Sequence, residues 1–138
     1  FNRLLTCLVE GTIRWAQHAP VLMISVAKMA FDRNKKPNRH AYHDVGLAVE
    51  NLVIQGTALG LSVHQMAGFH VDKAREMYAI PEGYEPVAAM AIGYPGDPKG
   101  LPEDLREREL APRTRKSLES FVFSGQWGQS APLTRHSG

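Results

Sequence analysis

The sequence predicts a mixed helix-and-strand domain organised around one long central helix. Three observations carry that expectation. Residues 40–59 turn at the helical period and place Tyr42, Val45, Gly46, Ala48, Val49, Leu52, Val53, Gly56 and Leu59 on one uncharged arc. Residues 21–27, Val-Leu-Met-Ile-Ser-Val-Ala, form a continuous apolar run of strand length. Strand-like and helix-like stretches then alternate along the chain, which predicts parallel pairing among several strands.

The central helix departs from an ordinary surface helix. His43, Asp44, Glu50, Asn51, Gln55 and Thr57 fall opposite the apolar arc, yet Leu47, Ile54 and Ala58 lie among them. A clean polar face is missing, so the helix is expected to pack on both sides. Gly46 and Gly56 sit inside the apolar arc, where each costs about 1 kcal/mol relative to Ala. Close approach of another backbone would offset that cost, and two merely tolerated glycines are the alternative. Gly60 suits the left-handed residue that ends a helix.

The other elements follow in order. Residues 1–18 read as helical with a break near Gly11, Leu4, Leu5, Leu8 and Val9 giving a partial apolar stripe and Trp15 an anchor. Pro20 ends that region, and the strand at 21–27 reads as covered on both faces. Residues 31–39 form a polar, charged loop in which Asn38 can cap the central helix. Residues 62–66 suit a short buried strand, closed by Ala67-Gly68, small residues that leave backbone amides open to a flat ligand. Residues 70–78 form a short helix, 81–86 a turn, 87–94 another strand and 95–100 a loop. Residues 101–110 read as a charged helix, 111–123 as extended, and 124–138 as a polar tail. The expected organisation is a single domain over 1–123 followed by that tail.

Composition sets outer bounds. A chain of 138 residues buries about 68% of its unfolded surface on folding. Its longest apolar runs fall well short of the roughly 20 residues that cross a bilayer, and no signal-peptide pattern opens it. Cys7 is the single cysteine, so no internal disulfide forms, in keeping with a reducing, cytoplasmic setting. A net charge of +2 is too small to indicate nucleic acid. The first forty residues nonetheless hold seven Lys/Arg against Glu10 and Asp32, and a second basic group stands at Arg113-Thr114-Arg115-Lys116. Either can meet an anionic ligand, although a solvated surface explains the first group better.

Few side chains propose themselves for chemistry. His40, His43 and Asp44 have a spacing that could hold a metal, but exposed or capping roles explain them better. Cys7 lacks a marked base partner. No nucleophile elbow, phosphate-cradling loop or dinucleotide fingerprint is present. Glu103, Asp104, Glu107 and Glu109 belong to a charged helix face. Two features remain: the strand-end loop Gln65-Met66-Ala67-Gly68, and Arg113 with Arg115, which alternate on an extended segment and can grip a phosphate.

Read together, HDVGLAVENLVIQGTALGLSVHQMAGF at 43–69, IPEGYEPVAAMAIGYPGDP at 80–98 and APRTRKSLESFV at 111–122 resemble the nitroreductase family of flavin mononucleotide (FMN) enzymes. The resemblance runs from about Trp15 to Trp127. It implies an α+β fold, a mixed sheet flanked by helices, with the long central helix at a homodimer interface where Leu47 and Ile54 meet a second copy. It implies FMN as cofactor, with NAD(P)H and a small-molecule acceptor such as a nitroaromatic or quinone as the reacting partners. It assigns Gln65, Met66, Ala67 and Gly68 to the isoalloxazine ring, with a backbone amide at Ala67 or Gly68 stabilising the reduced ring, and Arg113 and Arg115 to the FMN phosphate. No catalytic side chain and no metal are implied. The alternative is a dimeric remnant that keeps the fold, or the flavin, without turnover. Two family features, an Arg-Arg-Ser-x-Arg segment and a Pro-Ser-x-x-Asn-x-Gln-Pro-Trp stretch, have no counterpart here, so the chain is expected to be a fragment or the product of a truncated gene. Some members carry an acidic residue where Ala67 stands; the backbone donor is unaffected.

Overall fold

The computed structural model describes residues 1–132. Two compact units are present, Phe1–Pro95 and a second that begins at Gly96.

The first unit is built on a three-stranded sheet: β1 (Val21–Lys28), β2 (Ser62–Met66) and β3 (Tyr84–Gly93), in the order β1-β3-β2. Both pairings are antiparallel, Val21 facing Ile92 and Lys28 facing Tyr84 on one side of β3, Ser62 facing Gly93 and Met66 facing Ala89 on the other. The expected parallel pairing is therefore corrected. β1 and β2 do run in the same direction, but β3 lies between them and takes the hydrogen bonds of both. A bulge falls between Ser25 and Val26. There the Ser25 hydroxyl bonds the N–H and carbonyl of Ala88, both at 3.2 Å, and Pro86, which has no N–H to donate, stands opposite Val26.

Helices cover both faces of this sheet. On one face α1 (Asn2–Leu5), α2 (Glu10–Ala16) and α4 (Val71–Met77) enclose the core of Cys7, Leu8, Ala16, Met66, Phe69, Ala74, Ala89 and Ala91. Leu22 and Ile24 of β1 pack against that cluster. On the other face lies α3 (Ala41–Ala58), which contacts β1 and β2 and buries Ala41, Val49 and Gly56. The period of its apolar residues located this helix to within a residue at each end. Gly60, with φ +76°, ends it as expected.

Several local expectations change. The break in the N-terminal helical region lies at Thr6–Val9, and Gly11 sits inside α2. Asn38 does not cap α3: His40 takes the N-cap position, and the Asn38 side chain accepts the His40 N–H at 3.0 Å. The two helix glycines differ. A Cβ on Gly56 would lie 3.0 Å from Val63 Cγ2, so β2 presses close there with a side chain, while Gly46 faces open space. β1 is not enclosed: Val21 and Met23 on its α3 side are 44% and 39% exposed. α3 also leaves Tyr42, Leu47, Ile54 and Leu59 more than half exposed.

The second unit holds α5 (Glu103–Leu110) and short 3-10 turns at Pro98–Gly100 and Leu118–Ser120. Residues 111–117 are irregular, and the turn at Leu118 interrupts the extended run expected over 111–123. Residues 122–131 are ordered as a turn. Ala131 N–H donates to the Val122 carbonyl at 2.9 Å, and Phe123 meets Trp127 edge-on at 5.0 Å. The remainder of the expected polar tail, 133–138, lies outside the described residues. No helix among the described residues is long and apolar enough to cross a membrane.

Candidate functional site

β2 delivers the segment that the sequence singled out. Met66 is its last residue, and the side chain is buried in the core, so only its backbone is available to a ligand. Gln65 and Ala67 are exposed and Gly68 is half-buried. Phe69 is buried again. Residues 65–68 are thus a short exposed step between two core anchors.

The step is fastened to the N-terminus of α2. Val9 N–H donates to the Gly68 carbonyl at 3.0 Å, His70 N–H to the Cys7 carbonyl at 2.7 Å, and Phe69 N–H to the Ala67 carbonyl at 2.8 Å. A Cβ on Gly68 would lie 2.6 Å from Thr12 Oγ1 and 3.1 Å from Val9 Cγ2. That distance admits a Cβ only if α2 or the loop shifts, so the approach of α2 favours glycine here. The turn and loop hydrogen bonds of the segment use the Ala67 and Gly68 carbonyls. Among the described residues they provide no acceptor for the Ala67 and Gly68 N–H groups. Ala67 is exposed and Gly68 half-buried on a clamped backbone, and peptide donors at such a position suit an electron-rich edge or a developing negative charge. Trp15 of α2 meets His64 of β2 edge-on at 4.7 Å beside it.

Arg113 and Arg115 belong to the second unit and are exposed. Neither forms an ion pair with a described residue, and Arg115 Nη1 donates to the Thr114 carbonyl at 2.8 Å. No strand forms around them, so ladder alternation does not set their directions. Their guanidinium charges remain available to an anion.

The other candidates resolve simply. His40, His43 and Asp44 lie at the exposed start of α3, and no group of His, Cys, Asp and Glu among the described residues is placed to hold a metal. Cys7 is fully buried, and burial pushes its thiol pKa up against the weaker opposing pull of Lys73 and Arg3. A thiol kept protonated in the core is not a nucleophile. The sequence reading missed Thr12 and Val9, which fix the loop. Their role arises from a contact between distant segments and leaves no local signal.

Known proteins resemble this chain over most of its length. The Nitroreductase family matches residues 8–94. A Mycolicibacterium smegmatis protein described as "Uncharacterized 15.4 kDa protein in ask 5'region" is 35% identical over 128 residues, covering 93% of this chain and 84% of the relative. The crystal structure of an "oxidoreductase containing FMN" superposes with a TM-score of 0.84 at 32% identity, over 92% of this chain. The chain spans 65% of that protein's length. A nitroreductase family protein of Clostridium difficile 630, at 22% identity and a TM-score of 0.61 over 91% of this chain and 67% of its own, shares the fold.

Proposed function

The chain belongs to the nitroreductase family, and from that premise we propose that it binds FMN and passes electrons from NAD(P)H to a small acceptor such as a nitroaromatic or a quinone. The observation that carries the proposal is the clamped step at Gln65–Gly68, where no turn or loop acceptor among the described residues takes the Ala67 and Gly68 N–H groups. The FMN-containing structural relative supports the choice of cofactor. When bound, FMN supplies the redox chemistry, accepting a hydride equivalent from the dinucleotide and yielding electrons to the acceptor.

The chain's own part is binding and electrostatics. The Ala67 and Gly68 N–H groups donate to the ring edge where charge builds on reduction, and their fixed orientation costs no reorganisation at that moment. Gly68 allows this because a Cβ at this position would crowd Thr12. Met66 and Phe69, buried on either side, hold the backbone in place. Arg113 and Arg115 pair with the phosphate; Arg suits this better than Lys because its planar fork offers two parallel donors. No side-chain acid or base is required, in keeping with the inert Cys7. The assembly belongs to the same proposal: Leu47 and Ile54, exposed on the outer face of α3, are the contacts of a homodimer. A single buried thiol in a chain with no disulfide supports a cytoplasmic setting.

Titration of the full chain with FMN, followed by flavin fluorescence, tests the reading. Saturable quenching and a yellow protein are expected. Arg113→Glu with Arg115→Glu should weaken binding by about a hundredfold, the loss of two charge-assisted contacts. A protein that stays colourless in excess FMN refutes the proposal. Anaerobic addition of NADH or NADPH then separates an oxidoreductase, whose flavin bleaches, from a binding remnant.

A further inference from the structure

We propose that the basic hairpin between β1 and α3 receives the 2′-phosphate of NADPH, so that this chain prefers the phosphorylated dinucleotide. The inference rests on the oxidoreductase reading above. Residues 28–39 carry Lys28, Arg33, Lys35, Lys36 and Arg39 against the single carboxylate of Asp32. Asp32 pairs with Lys28 and lies 3.8 Å from Lys35. That leaves Arg33, Lys36 and Arg39 without a carboxylate partner among the described residues, all three exposed. Asp44, the next carboxylate along the chain, is engaged by Asn38 Nδ2 at 3.4 Å.

These cations are displayed on an ordered turn. Lys35 N–H donates to the Phe31 carbonyl at 2.8 Å, Phe31 N–H to the Lys36 carbonyl at 3.0 Å, and Asn38 N–H to the Met29 carbonyl at 2.8 Å. Ala30 bridges Pro37 across the hairpin, and the Arg33 guanidinium stacks over the Phe31 ring at 5.3 Å. Lys35 holds φ +58°, a conformation that favours Gly or Asn.

Topology brings the hairpin and the loop to one end of the sheet. β1 and β2 both run antiparallel to β3, so their C-terminal ends emerge at the same end of the sheet. Lys28 stands opposite Tyr84 and Met66 opposite Ala89. Five residues along β3 and two strand spacings across separate them, roughly 20 Å. A dinucleotide whose nicotinamide stacks on a flavin held at the Gln65–Gly68 loop reaches the hairpin with its adenosine end when extended. NADH brings no phosphate monoester to that end, whereas NADPH brings a dianion.

Calorimetric titration of the full chain with adenosine 2′,5′-bisphosphate and with 5′-AMP isolates the contact from flavin chemistry. The bisphosphate should bind at least about tenfold more tightly, the size of one charge-assisted contact. Added salt should shrink that advantage. Lys36→Glu with Arg39→Glu should abolish it, and Lys36→Gln with Arg39→Gln should reduce it. Equal affinity for the two nucleotides, binding of neither, or an advantage unchanged in both variants overturns the proposal. FMN affinity measured on the same variants is a second arm. Its loss would assign these cations to the cofactor's phosphate and also overturn the proposal. A chain that binds no FMN but keeps the bisphosphate preference sinks the oxidoreductase reading and leaves the hairpin assignment standing.

Discussion

Replacing Gly68 by Ala tests whether α2 builds the candidate loop. The added Cβ would sit 2.6 Å from Thr12 Oγ1 and 3.1 Å from Val9 Cγ2. Gly68 is not in the left-handed region, so the cost is steric and not a matter of backbone strain. Thr12 is β-branched and its hydroxyl cannot swing far, so either α2 or the loop must shift. Overpacking of this kind costs about 2 kcal/mol. For a chain of this size that lowers the melting temperature by about 7 °C. Thr12→Ala removes the nearest obstructing atom. The double variant should therefore recover more than half of the loss, a favourable coupling of about 1 kcal/mol or more. Thermal melts of the four proteins, followed by circular dichroism, give the cycle directly. FMN titration of the same set shows whether the N–H groups have moved. Should Gly68→Ala melt within about a degree of the parent, with no coupling to Thr12→Ala, the idea that α2 dictates glycine here is wrong.

Two further perturbations address the assembly and the core. Leu47→Glu with Ile54→Glu places two charges on the exposed outer face of α3 and should convert a dimer to a folded monomer, read by sedimentation velocity with the helical signal retained; an unchanged sedimentation coefficient removes this face from the interface. Cys7 provides a pH signature. Burial raises its folded pKa above the ordinary thiol value of 9.0, so the folded state holds its proton more tightly. Its contribution to stability is complete below pH 9 and is lost as pH rises from there through the raised folded value. Melts of the parent and Cys7→Ala between pH 8 and 10.5 should show the steeper alkaline decline in the parent; parallel curves would mean the thiol ionises as easily folded as unfolded.

What the sequence disclosed follows the range of the forces involved. The bounds of α3 were legible because helical periodicity is local, and Gly60 marked its end through its own backbone preference. The loop at 65–68 was legible as small residues closing a strand. The environment of that loop was not, because Thr12 and Val9 reach it only after the chain has folded back. Gly56 shows the same limit: its close neighbour is Val63 on β2, while Gly46, identical in pattern, meets nothing. The run at 21–27 announced a strand but not its cover. Continuous apolarity reports what a strand can bury, and Val21 and Met23 are left partly open by α3. The break placed at Gly11 assumed that glycine disfavours a helix more than packing favours it; α2 continues through it.

Strand direction was the largest misreading, and its cause also explains the geometry of the site. Alternation of strand, helix and strand reads as parallel pairing; β1 and β2 do run the same way, because α3 returns the chain across the sheet between them. Adjacency does not follow from shared direction. β3 enters between the two strands and pairs antiparallel with both. Had β1 and β2 been neighbours with their ends level, Lys28 and Met66 would lie about 5 Å apart, and the basic hairpin would crowd the amide loop. The inserted strand doubles the lateral spacing, and β1 runs on along β3 to Tyr84 while β2 stops opposite Ala89. The separation between a pair of peptide donors and a set of unpaired cations is therefore set by one strand's place in the sheet. The two groups share an end of the sheet yet stand far enough apart for a flavin at one and the adenosine end of an extended dinucleotide at the other.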